Sequence, residues 1–388
     1  MKMKRFLAAL LMLAILLTGL TVTASAETGW VQKDGLWYYY KADGTLLKND
    51  WVQSKGKWYY LGSEGVMVTD AVIEVNGKYY AFDKNGVMAA NSWFEKIYNE
   101  EDSNWFYAGA DGALVKGWKQ IKGKWYYFLG AQTKDKDAYP VMITGIPRTW
   151  NSETGAYESL FDNGKFYAFK PTGEMIVGWG RPFADGTWFL TDNYWVYANA
   201  DGSLVTRSWK KIGGKWYFFS ADGQMYWDGP TAIEDPNDKN EYLFNASGEL
   251  VEFGWFQPYW KNEDGTVDYY GWFYGGKDGV VQKGWVKDKG NWYYLDAEYG
   301  KMQTGLIGMT DGKTYYLDET TGAMVTGWKQ IDNIWRFFKA DGAMAVKEWV
   351  QSGTAWYYLK EDGQMAKDEI LTIDGKPYKF DANGVWVP

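Results

Sequence analysis

Pairs of tryptophans seven positions apart recur along the chain, and they are the side chains best suited to bind a ligand. An indole ring attracts a cation over its face and also offers a flat apolar platform for stacking. Because the pair recurs at a fixed spacing, we expect repeated binding sites. The pairs are Trp30/Trp37, Trp51/Trp58, Trp118/Trp125, Trp209/Trp216, Trp285/Trp292, Trp328/Trp335 and Trp349/Trp356.

Other chemistry is limited, because the chain contains no histidine and no cysteine. Ser-His-Asp and Cys-His nucleophiles, histidine general bases and the commonest zinc ligands are therefore excluded. No disulfide can form, so packing must supply the stability. Only carboxylate, lysine or tyrosine chemistry remains.

We predict that the chain is not an enzyme and has no cofactor and no metal site. The paired carboxylates Glu263 and Asp264 lie in an insertion too short to be a domain. Asp235, Asn237 and Asp238 fit a solvated acidic loop better than a weak calcium site. Two Ser-x-x-Lys matches fall inside predicted hairpins and are interpreted as chance: Ser54–Lys57 and Ser208–Lys211.

The elements that must position the tryptophans are short aromatic strands. The chain holds 25 Trp, 31 Tyr and 19 Phe beside 46 Gly, a mixture that favours strands between glycine turns over helices. One phrase recurs after residue 27: Gly-Trp, a Gly-containing turn, Trp-Tyr-Tyr, then Asp-Gly and Met. Its spacing is 21 residues in the regular stretches, and about fifteen units fit. The pattern predicts an all-β chain of hairpin repeats.

The register of the first hairpin can be derived from its turn. Asp34–Gly35 lies between two aromatic runs, which is a strong signal for a two-residue type I′ turn. This turn pairs Trp30 with Tyr39. Because side chains alternate across a strand, Trp30, Trp37 and Tyr39 share one face, while Tyr38 lies on the other.

The second unit repeats this geometry, with Lys55–Gly56 at the turn and Trp51, Trp58 and Tyr60 on one face. Tyr59 lies on the opposite face, and we expect its position to belong to the core. An isolated two-stranded hairpin is marginal in water, so each unit must bury a face on its neighbours. The hairpins are therefore expected to stack as a solenoid.

One unit carries the phrase almost in full, at Gly327–Gln330, Trp335–Phe338 and Asp341–Met344. At these residues the chain resembles the cell-wall-binding repeats of Gram-positive surface proteins, the choline-binding modules of autolysins and adhesins. The resemblance covers nearly all of the chain after residue 26. It implies a left-handed solenoid in which choline sits between consecutive hairpins. Each aromatic cage would use two tryptophans of one repeat and an aromatic of the next, often with Met nearby.

The resemblance carries a ligand-binding role onto the residues that match its motif. A quaternary ammonium cannot form hydrogen bonds, so it is selected by attraction to several ring faces. For the pair Trp51/Trp58 the third wall would be Tyr79 or Tyr80. The predicted ligand-binding residues are Trp30, Trp37, Tyr39, Trp51, Trp58, Tyr60, Trp118, Trp125, Tyr127, Trp209, Trp216, Trp285, Trp292, Tyr294, Trp328, Trp335, Trp349, Trp356 and Tyr358.

Some units depart from the motif. Three tryptophans have displaced partners, which puts their cages in doubt: Trp93 with Trp105, Trp179 with Trp188 or Trp195, and Trp255 with Trp272. Five units begin without a tryptophan and are expected to serve in packing: those starting at Val72, Ile146, Pro230, Leu306 and Ile370.

The chain is predicted to be secreted and to lie at the cell wall. Residues 1–26 have the basic, apolar and Ala-x-Ala order of a signal peptide. Regular repeats are expected over 27–130 and 284–388, and irregular repeats with inserted loops over 131–283, with a break between about residues 130 and 166. Losing three cations with the signal peptide takes the net charge from −8 to −11, which argues against nucleic acid and anionic membranes as partners.

Two ligand classes remain open. The first is choline of teichoic-acid-type wall polymers. Attachment is expected to be noncovalent, because neither a Leu-Pro-x-Thr-Gly motif nor an apolar tail is expected to anchor the chain. The alternative is a glucan or another cell-surface glycan, since aromatic rings also stack on sugars. Residues 305–317 and 72–80 resemble the glucan-binding repeats of glucansucrases and the C-terminal repeats of clostridial-type toxins more than the choline type.

Overall fold

The computed structural model describes residues 27–99, 103–130, 139–153, 156–161, 163–182, 194–233, 235, 237–262 and 264–388. The proposed signal peptide, Trp188 and Glu263 lie outside these residues. Every regular element among the described residues is a β-strand, and none of those residues forms a helix long and apolar enough to cross a membrane. The chain divides into two compact units, one ending at Ile143 and one beginning at Thr144.

The strands pair as antiparallel hairpins. Unit 1 contains β1 (Gly29–Lys33), β2 (Leu36–Tyr40), β3 (Asp50–Ser54), β4 (Lys57–Leu61), β5 (Ala71–Val75), β6 (Lys78–Phe82), β7 (Ser92–Ile97), β8 (Ser103–Ala108), β9 (Gly117–Ile121) and β10 (Lys124–Phe128).

Unit 2 begins with shorter strands and becomes regular again after β22. It contains β11 (Arg148–Asn151), β12 (Ala156–Ser159), β13 (Gly178–Gly180), β14 (Val196–Ala198), β15 (Ser208–Ile212), β16 (Lys215–Phe219), β17 (Gly229–Ala232), β18 (Glu241–Phe244), β19 (Gly254–Phe256), β20 (Tyr259–Lys261), β21 (Val267–Tyr269), β22 (Phe273–Gly275), β23 (Gly284–Asp288), β24 (Asn291–Leu295), β25 (Gly305–Gly308), β26 (Thr314–Leu317), β27 (Gly327–Ile331), β28 (Ile334–Phe338), β29 (Glu348–Ser352), β30 (Ala355–Leu359), β31 (Glu369–Ile373), β32 (Lys376–Phe380) and β33 (Trp386–Val387).

The first hairpin has the register derived from its turn. Trp30 lies opposite Tyr39, and Gln32 lies opposite Trp37. Asp34 and Gly35 both have positive φ, 51° and 79°, as a type I′ turn requires. The prediction of an all-β chain of hairpin repeats is confirmed.

Within each unit, one face of a hairpin packs on the opposite face of the next. Trp30 of β1 meets Tyr59 of β4 with ring centroids 5.1 Å apart, and both pack against the buried cluster of Leu47, Val52 and Leu61. The last residue of the second strand is buried along the stack, as in Leu61 and Phe82, both 0% exposed. These apolar residues form the continuous core that a single hairpin cannot provide.

The connection after each hairpin is held by its own polar side chain and by an earlier hairpin. Asp83 Oδ1 accepts the backbone N–H groups of Asn85 and Val87, which fixes the turn after β6. Met88 then donates its N–H to the carbonyl oxygen of Trp58, at 2.9 Å. Each connection therefore ties two hairpins together.

Insertions lengthen the hairpin turns without changing the register next to the core. In the β7–β8 hairpin Trp93 still lies opposite Tyr107, and Glu95 lies opposite Trp105. In the β19–β22 hairpin the extra residues form a second small hairpin, β20–β21. The inserted residues project beyond the paired ends of the strands, so the stack tolerates them.

A half-buried ion pair supports the irregular part of unit 2. Arg148 Nη1 lies 2.6 Å from Asp222 Oδ2, which also accepts the Tyr194 hydroxyl at 2.8 Å, while Ser220 Oγ donates to Asp222 Oδ1 at 2.5 Å. Burial acts to raise the pKa of Asp222, but these hydrogen bonds outweigh it and hold the pKa below its ordinary value. Burial, together with the nearby Asp222, raises the pKa of Tyr194.

We predict that Gly112→Ala lowers the free energy of unfolding by roughly 1–2 kcal/mol. Gly112 has φ 80°, and a Cβ there would meet the Sδ and Cε atoms of Met88. Urea denaturation followed by circular dichroism measures the effect. Gly308→Ala is the matched control, because a Cβ at Gly308 meets nothing within 4 Å and φ there is not positive. An equal loss in both variants would contradict the prediction.

We predict that Asp222→Asn costs roughly 1.5–3 kcal/mol at pH 7 and much less near pH 2. A carboxyl whose folded pKa lies below its ordinary 3.8 stabilises the protein above that value, and the contribution disappears as pH falls through the folded pKa. Urea midpoints at the two pH values test this. Glu361→Gln is the control, since that carboxylate is 82% exposed in a 2.7 Å pair with Lys347 and should change little. A pH-independent cost at Asp222 would be inconsistent with the ion pair.

Candidate functional site

In seven of the described hairpins, two tryptophans on one face form a nearly right-angled corner. Trp30 and Trp37 have ring centroids 6.4 Å apart and an interplanar angle of 86°. The second tryptophan keeps much of its surface in solvent, as in Trp58, which is 41% exposed. Centroid distances of 6.3–6.5 Å with angles of 77–88° recur at Trp51/Trp58, Trp93/Trp105, Trp118/Trp125, Trp179/Trp195, Trp285/Trp292 and Trp328/Trp335.

The following hairpin supplies a third wall. The ring of Tyr80 in β6 lies 4.8 Å from that of Trp51. Trp51, Trp58 and Tyr80 line a cavity of about 250 Å³, together with Met88 and Asp111. We call this cavity B. Of the two tyrosines considered for the third wall, the structure therefore places Tyr80 there.

The Tyr59 position packs against the core, as predicted, and it also lies beside the tryptophan corner of the preceding hairpin. Tyr59 and Tyr80 occupy the same place in successive hairpins, opposite Val52 and Ile73. Tyr59 does point away from Trp51 and Trp58 of its own hairpin, and the hairpin of Tyr80 has no tryptophan. That side, however, packs against the preceding hairpin, so the ring reaches the preceding tryptophan corner. The alternation of side chains along a strand correctly predicts on which face of the hairpin the tyrosine lies. It does not predict which neighbouring hairpin packs against that face.

The tyrosines chosen from the sequence lie behind the tryptophans of their own hairpin. Trp51 and Tyr60 are 5.0 Å apart, but Tyr60 does not line cavity B. Burial explains this, because Tyr60, Tyr127 and Tyr358 are at most 9% exposed. In the structure each of these tyrosines contacts the first tryptophan of its own hairpin. A ligand-binding role stays a prediction for Tyr39, Tyr60, Tyr127, Tyr294 and Tyr358.

Methionine completes the cavity from the connection after the next hairpin. Met88 lines cavity B, and its backbone N–H binds the Trp58 carbonyl. Met365 has the same bond to Trp335 and lines a cavity of about 390 Å³ with Trp328, Trp335 and Tyr357. We call this cavity H. The apolar thioether adds a wall that offers a ligand no hydrogen-bond donor.

Two of the three tryptophans with displaced partners form the same corner with them, and the third lines a cavity together with its partner. Trp93/Trp105 and Trp179/Trp195 have the common separation and angle. Trp255 and Trp272 line a cavity of about 270 Å³ with Tyr293 and Met302. The insertion changes the sequence spacing but not the cross-strand position, which is why a fixed spacing of seven misses these pairs.

Among the described residues, nine sets combine two tryptophans, a tyrosine of the next hairpin and a residue at the methionine position. Leu250 replaces methionine in one set and Trp386 in another, where Trp386 lies 6.0 Å from Trp349. The sets are Trp30/Trp37/Tyr59/Met67, Trp51/Trp58/Tyr80/Met88, Trp93/Trp105/Tyr126/Met142, Trp179/Trp195/Tyr217/Met225, Trp209/Trp216/Tyr242/Leu250, Trp255/Trp272/Tyr293/Met302, Trp285/Trp292/Tyr315/Met324, Trp328/Trp335/Tyr357/Met365 and Trp349/Trp356/Tyr378/Trp386.

Charges beside the cavities differ from one to the next. Asp111 lines cavity B, and a hydrogen bond from Lys78 holds the pKa of this carboxyl below its ordinary value. Lys367 lines cavity H. Thr320 and Thr321 line the cavity of Trp255 and Trp272. The aromatic walls are thus constant, whereas the rim is acidic, basic or hydroxylic.

The candidate residues for catalysis or metal binding make local contacts in hairpins and turns. Ser54 and Lys57 face each other across the β3–β4 turn. Asp235 Oδ1 accepts the N–H of Asn237, and Asp238 accepts the hydroxyl of Tyr242. Within the described part of the chain, no three Asp or Glu side chains come close enough to hold a metal ion.

The fold and its repeated cavity define an all-β protein of stacked aromatic hairpins, with small cavities where consecutive hairpins meet. Its sequence matches the "Choline-binding repeat" family at residues 48–93 and 346–386. The "Putative cell wall binding repeat" family matches at residues 28–46, 116–130, 208–225, 283–298 and 326–344. The chain therefore contains choline-binding repeats and cell wall binding repeats at these seven stretches.

Similar proteins include much longer enzymes. Glucosyltransferase-S of Streptococcus mutans serotype c is 28% identical over 214 residues, covering 55% of this chain and 12% of the relative. Glucosyltransferase-I of Streptococcus downei is 27% identical over 332 residues, covering 66% of this chain and 20% of the relative. The matched region is therefore a fifth or less of either relative.

Among solved structures, choline binding protein F from Streptococcus pneumoniae is similar over most of its length. It is 21% identical, with 87% of this chain and 98% of that chain covered and a TM-score of 0.31.

Proposed function

We propose that this protein is secreted and attaches noncovalently to a choline-decorated wall polymer through its aromatic cages. The observation that carries the proposal is the repeated cavity walled by two tryptophans, a tyrosine and a methionine, as in cavity B. Its ring walls present π faces and no strong hydrogen-bonding array. A trimethylammonium group suits such a cavity, because it is cationic, apolar at its surface and unable to donate a hydrogen bond.

Weak individual cages are sufficient for firm attachment. A ring face contributes about 0.5–2 kcal/mol to binding a cation, so a three-walled cage has roughly millimolar to micromolar affinity. The polymer presents its ligand many times, and each bound cage raises the effective concentration of ligand at the next. Attachment then needs no covalent link and no catalytic activity of this chain.

A glycan is the second candidate ligand, and one cavity favours it. Thr320 and Thr321, two hydroxyl-bearing residues, line this cavity with Trp255 and Trp272. Hydroxyls that bond a sugar rim while a ring stacks on its face are a common way to recognise a pyranose. The matches to glucosyltransferases are consistent with this alternative.

Titration with choline chloride, tetramethylammonium chloride and a soluble α-glucan at matched ionic strength separates the two candidates. We expect a saturable change of tryptophan fluorescence with both ammonium compounds. Trp328→Ala or Trp335→Ala should weaken binding in cavity H roughly 2- to 30-fold, because one wall is lost, so the part of the change due to cavity H should move to higher ligand concentration. A response to glucan alone would move the protein to the glycan class, and silence with all three would leave the tryptophans as core residues.

Tyr357 provides the matched control for the third wall of cavity H. Tyr357→Phe keeps a ring 4.9 Å from Trp328 and should retain binding, whereas Tyr357→Leu removes the π face and should weaken it. If both variants bind choline equally well, the ring is not a wall of the site.

The charged residues Asp111 and Lys367 at the rims of cavities B and H can test whether the ligand is a cation. Asp111→Asn should weaken choline binding in cavity B, and Lys367→Gln should strengthen it in cavity H, each by roughly 2- to 5-fold for partly screened charges. The ¹⁹F resonances of 5-fluorotryptophan at Trp58 and Trp335, assigned by substitution to Phe, report the two cavities separately. A neutral glucan should be insensitive to both changes, so a choline affinity that ignores both charges contradicts a cationic ligand in these cavities.

A further inference from the structure

Two stretches of the chain have the same architecture outside the cages. Asp70 and Asp228 each precede a hairpin without a leading tryptophan, have φ 45° and 55°, and donate their N–H to a turn carbonyl, that of Asp83 or Asn245. In both stretches the following hairpin carries an insertion, between β7 and β8 or between β19 and β22. Each stretch therefore serves as an internal reference for the other.

In the first stretch a lysine fills the space beside the aspartate. Lys96 lies three positions after Trp93, and its Nζ lies 3.0 Å from Asp70 Oδ2 and 2.8 Å from the Asp70 carbonyl oxygen. The Lys96 side chain is only 19% exposed. In this stretch the Lys96 ammonium group therefore donates hydrogen bonds to Asp70.

In the second stretch the ammonium is missing. The residue three positions after Trp255 is Pro258, which has no donor. Asp228 accepts a hydrogen bond from the backbone N–H of Tyr259, but its Oδ1 atom is buried without a hydrogen-bond partner among the described residues. A buried oxygen left in this state is costly unless a ligand or water pairs with it. Burial also raises the pKa of Asp228.

Asp228 also lines a pocket. A cavity of about 360 Å³ lies beside Asp228 and is lined by Trp227, Pro230, Pro258, Tyr259 and Tyr270. Tyr270 is 57% exposed and Tyr259 41%, so rings that a core would bury are kept at the mouth of the pocket. Aromatic walls around a carboxylate are complementary to a cation with an apolar body.

We propose that this pocket binds a protonated primary amine, whose ammonium takes the place at Asp228 that Lys96 Nζ takes at Asp70. The N–H groups pair with the carboxylate, and the aromatic rings cover the carbon chain. The pocket therefore requires a ligand with N–H donors. The cages differ in this respect, because the quaternary ammonium proposed to bind there has no N–H group. The site is independent of the cages and of what they bind.

Ethanolamine and choline are the probes, because they differ only in the three methyl groups on nitrogen. Saturation-transfer difference NMR of ethanolamine, recorded on the full-length protein in saturating choline, reports sites that choline does not occupy. We expect a saturable ethanolamine signal, and Asp228→Asn should raise its dissociation constant at least tenfold while leaving choline binding unchanged. Asparagine also accepts a positive φ, so the turn is expected to keep its conformation.

Pro258→Lys is the second variant and places an internal ammonium where Lys96 has one. It should displace ethanolamine as completely as Asp228→Asn does, while the circular dichroism spectrum stays that of the parent. Asp70→Asn is the matched control and should leave the ethanolamine signal unchanged. The proposal is overturned if ethanolamine binds Asp228→Asn and the parent equally. It is also overturned if no ethanolamine signal survives saturating choline, or if glucose gives the same Asp228-dependent signal, which would mean that the pocket takes a hydroxyl.

Discussion

The structure depends on the inability of a two-stranded hairpin to bury either face by itself. Each unit solves this by laying the tryptophan face of one hairpin on the tyrosine face of the next, as Trp30 does on Tyr59. The core lies along this contact, with Leu61 and Phe82 fully buried. Because large rings meeting edge to face cannot close every gap, the same contact leaves a small aromatic cavity. Stability and binding geometry thus have one origin.

Much of this could be predicted from local rules. The Asp34–Gly35 turn fixes every pair in the first hairpin, and alternation then places Trp30 and Trp37 on one face. The partner of that face could not be deduced in the same way, because it depends on how hairpins stack. The sequence therefore predicts that Tyr59 belongs to the core, but not that its ring also lies beside the tryptophan corner of the preceding hairpin. Nothing in the spacing of one repeat distinguishes a core tyrosine from a tyrosine that closes the neighbour's cavity.

The displaced pairs illustrate a second limit of sequence reasoning. A spacing of seven holds only while the turn keeps two residues, whereas the structural requirement is a cross-strand position. Trp105 fulfils that position opposite Glu95 after a longer turn, just as Trp37 does opposite Gln32. Counting from the start of a repeat fails there. Counting backwards from the buried residue that ends the second strand, such as Ala108, would recover the partner, since that end is packed in the core.

Insertion and divergence are cheap in this architecture because the core contact and the rim are made by different residues. The rings of a cavity are constrained by packing, whereas the rim residues differ, with Asp111, Thr320 and Lys367 each lining a different cavity. For a ligand repeated along a polymer, retention depends on many engagements, so no single cavity has to keep an optimal rim. The same freedom separates Lys96 from Pro258, because both lie outside the rings that make the core contact. Lys96 donates to Asp70, whereas Pro258 offers Asp228 no hydrogen-bond donor.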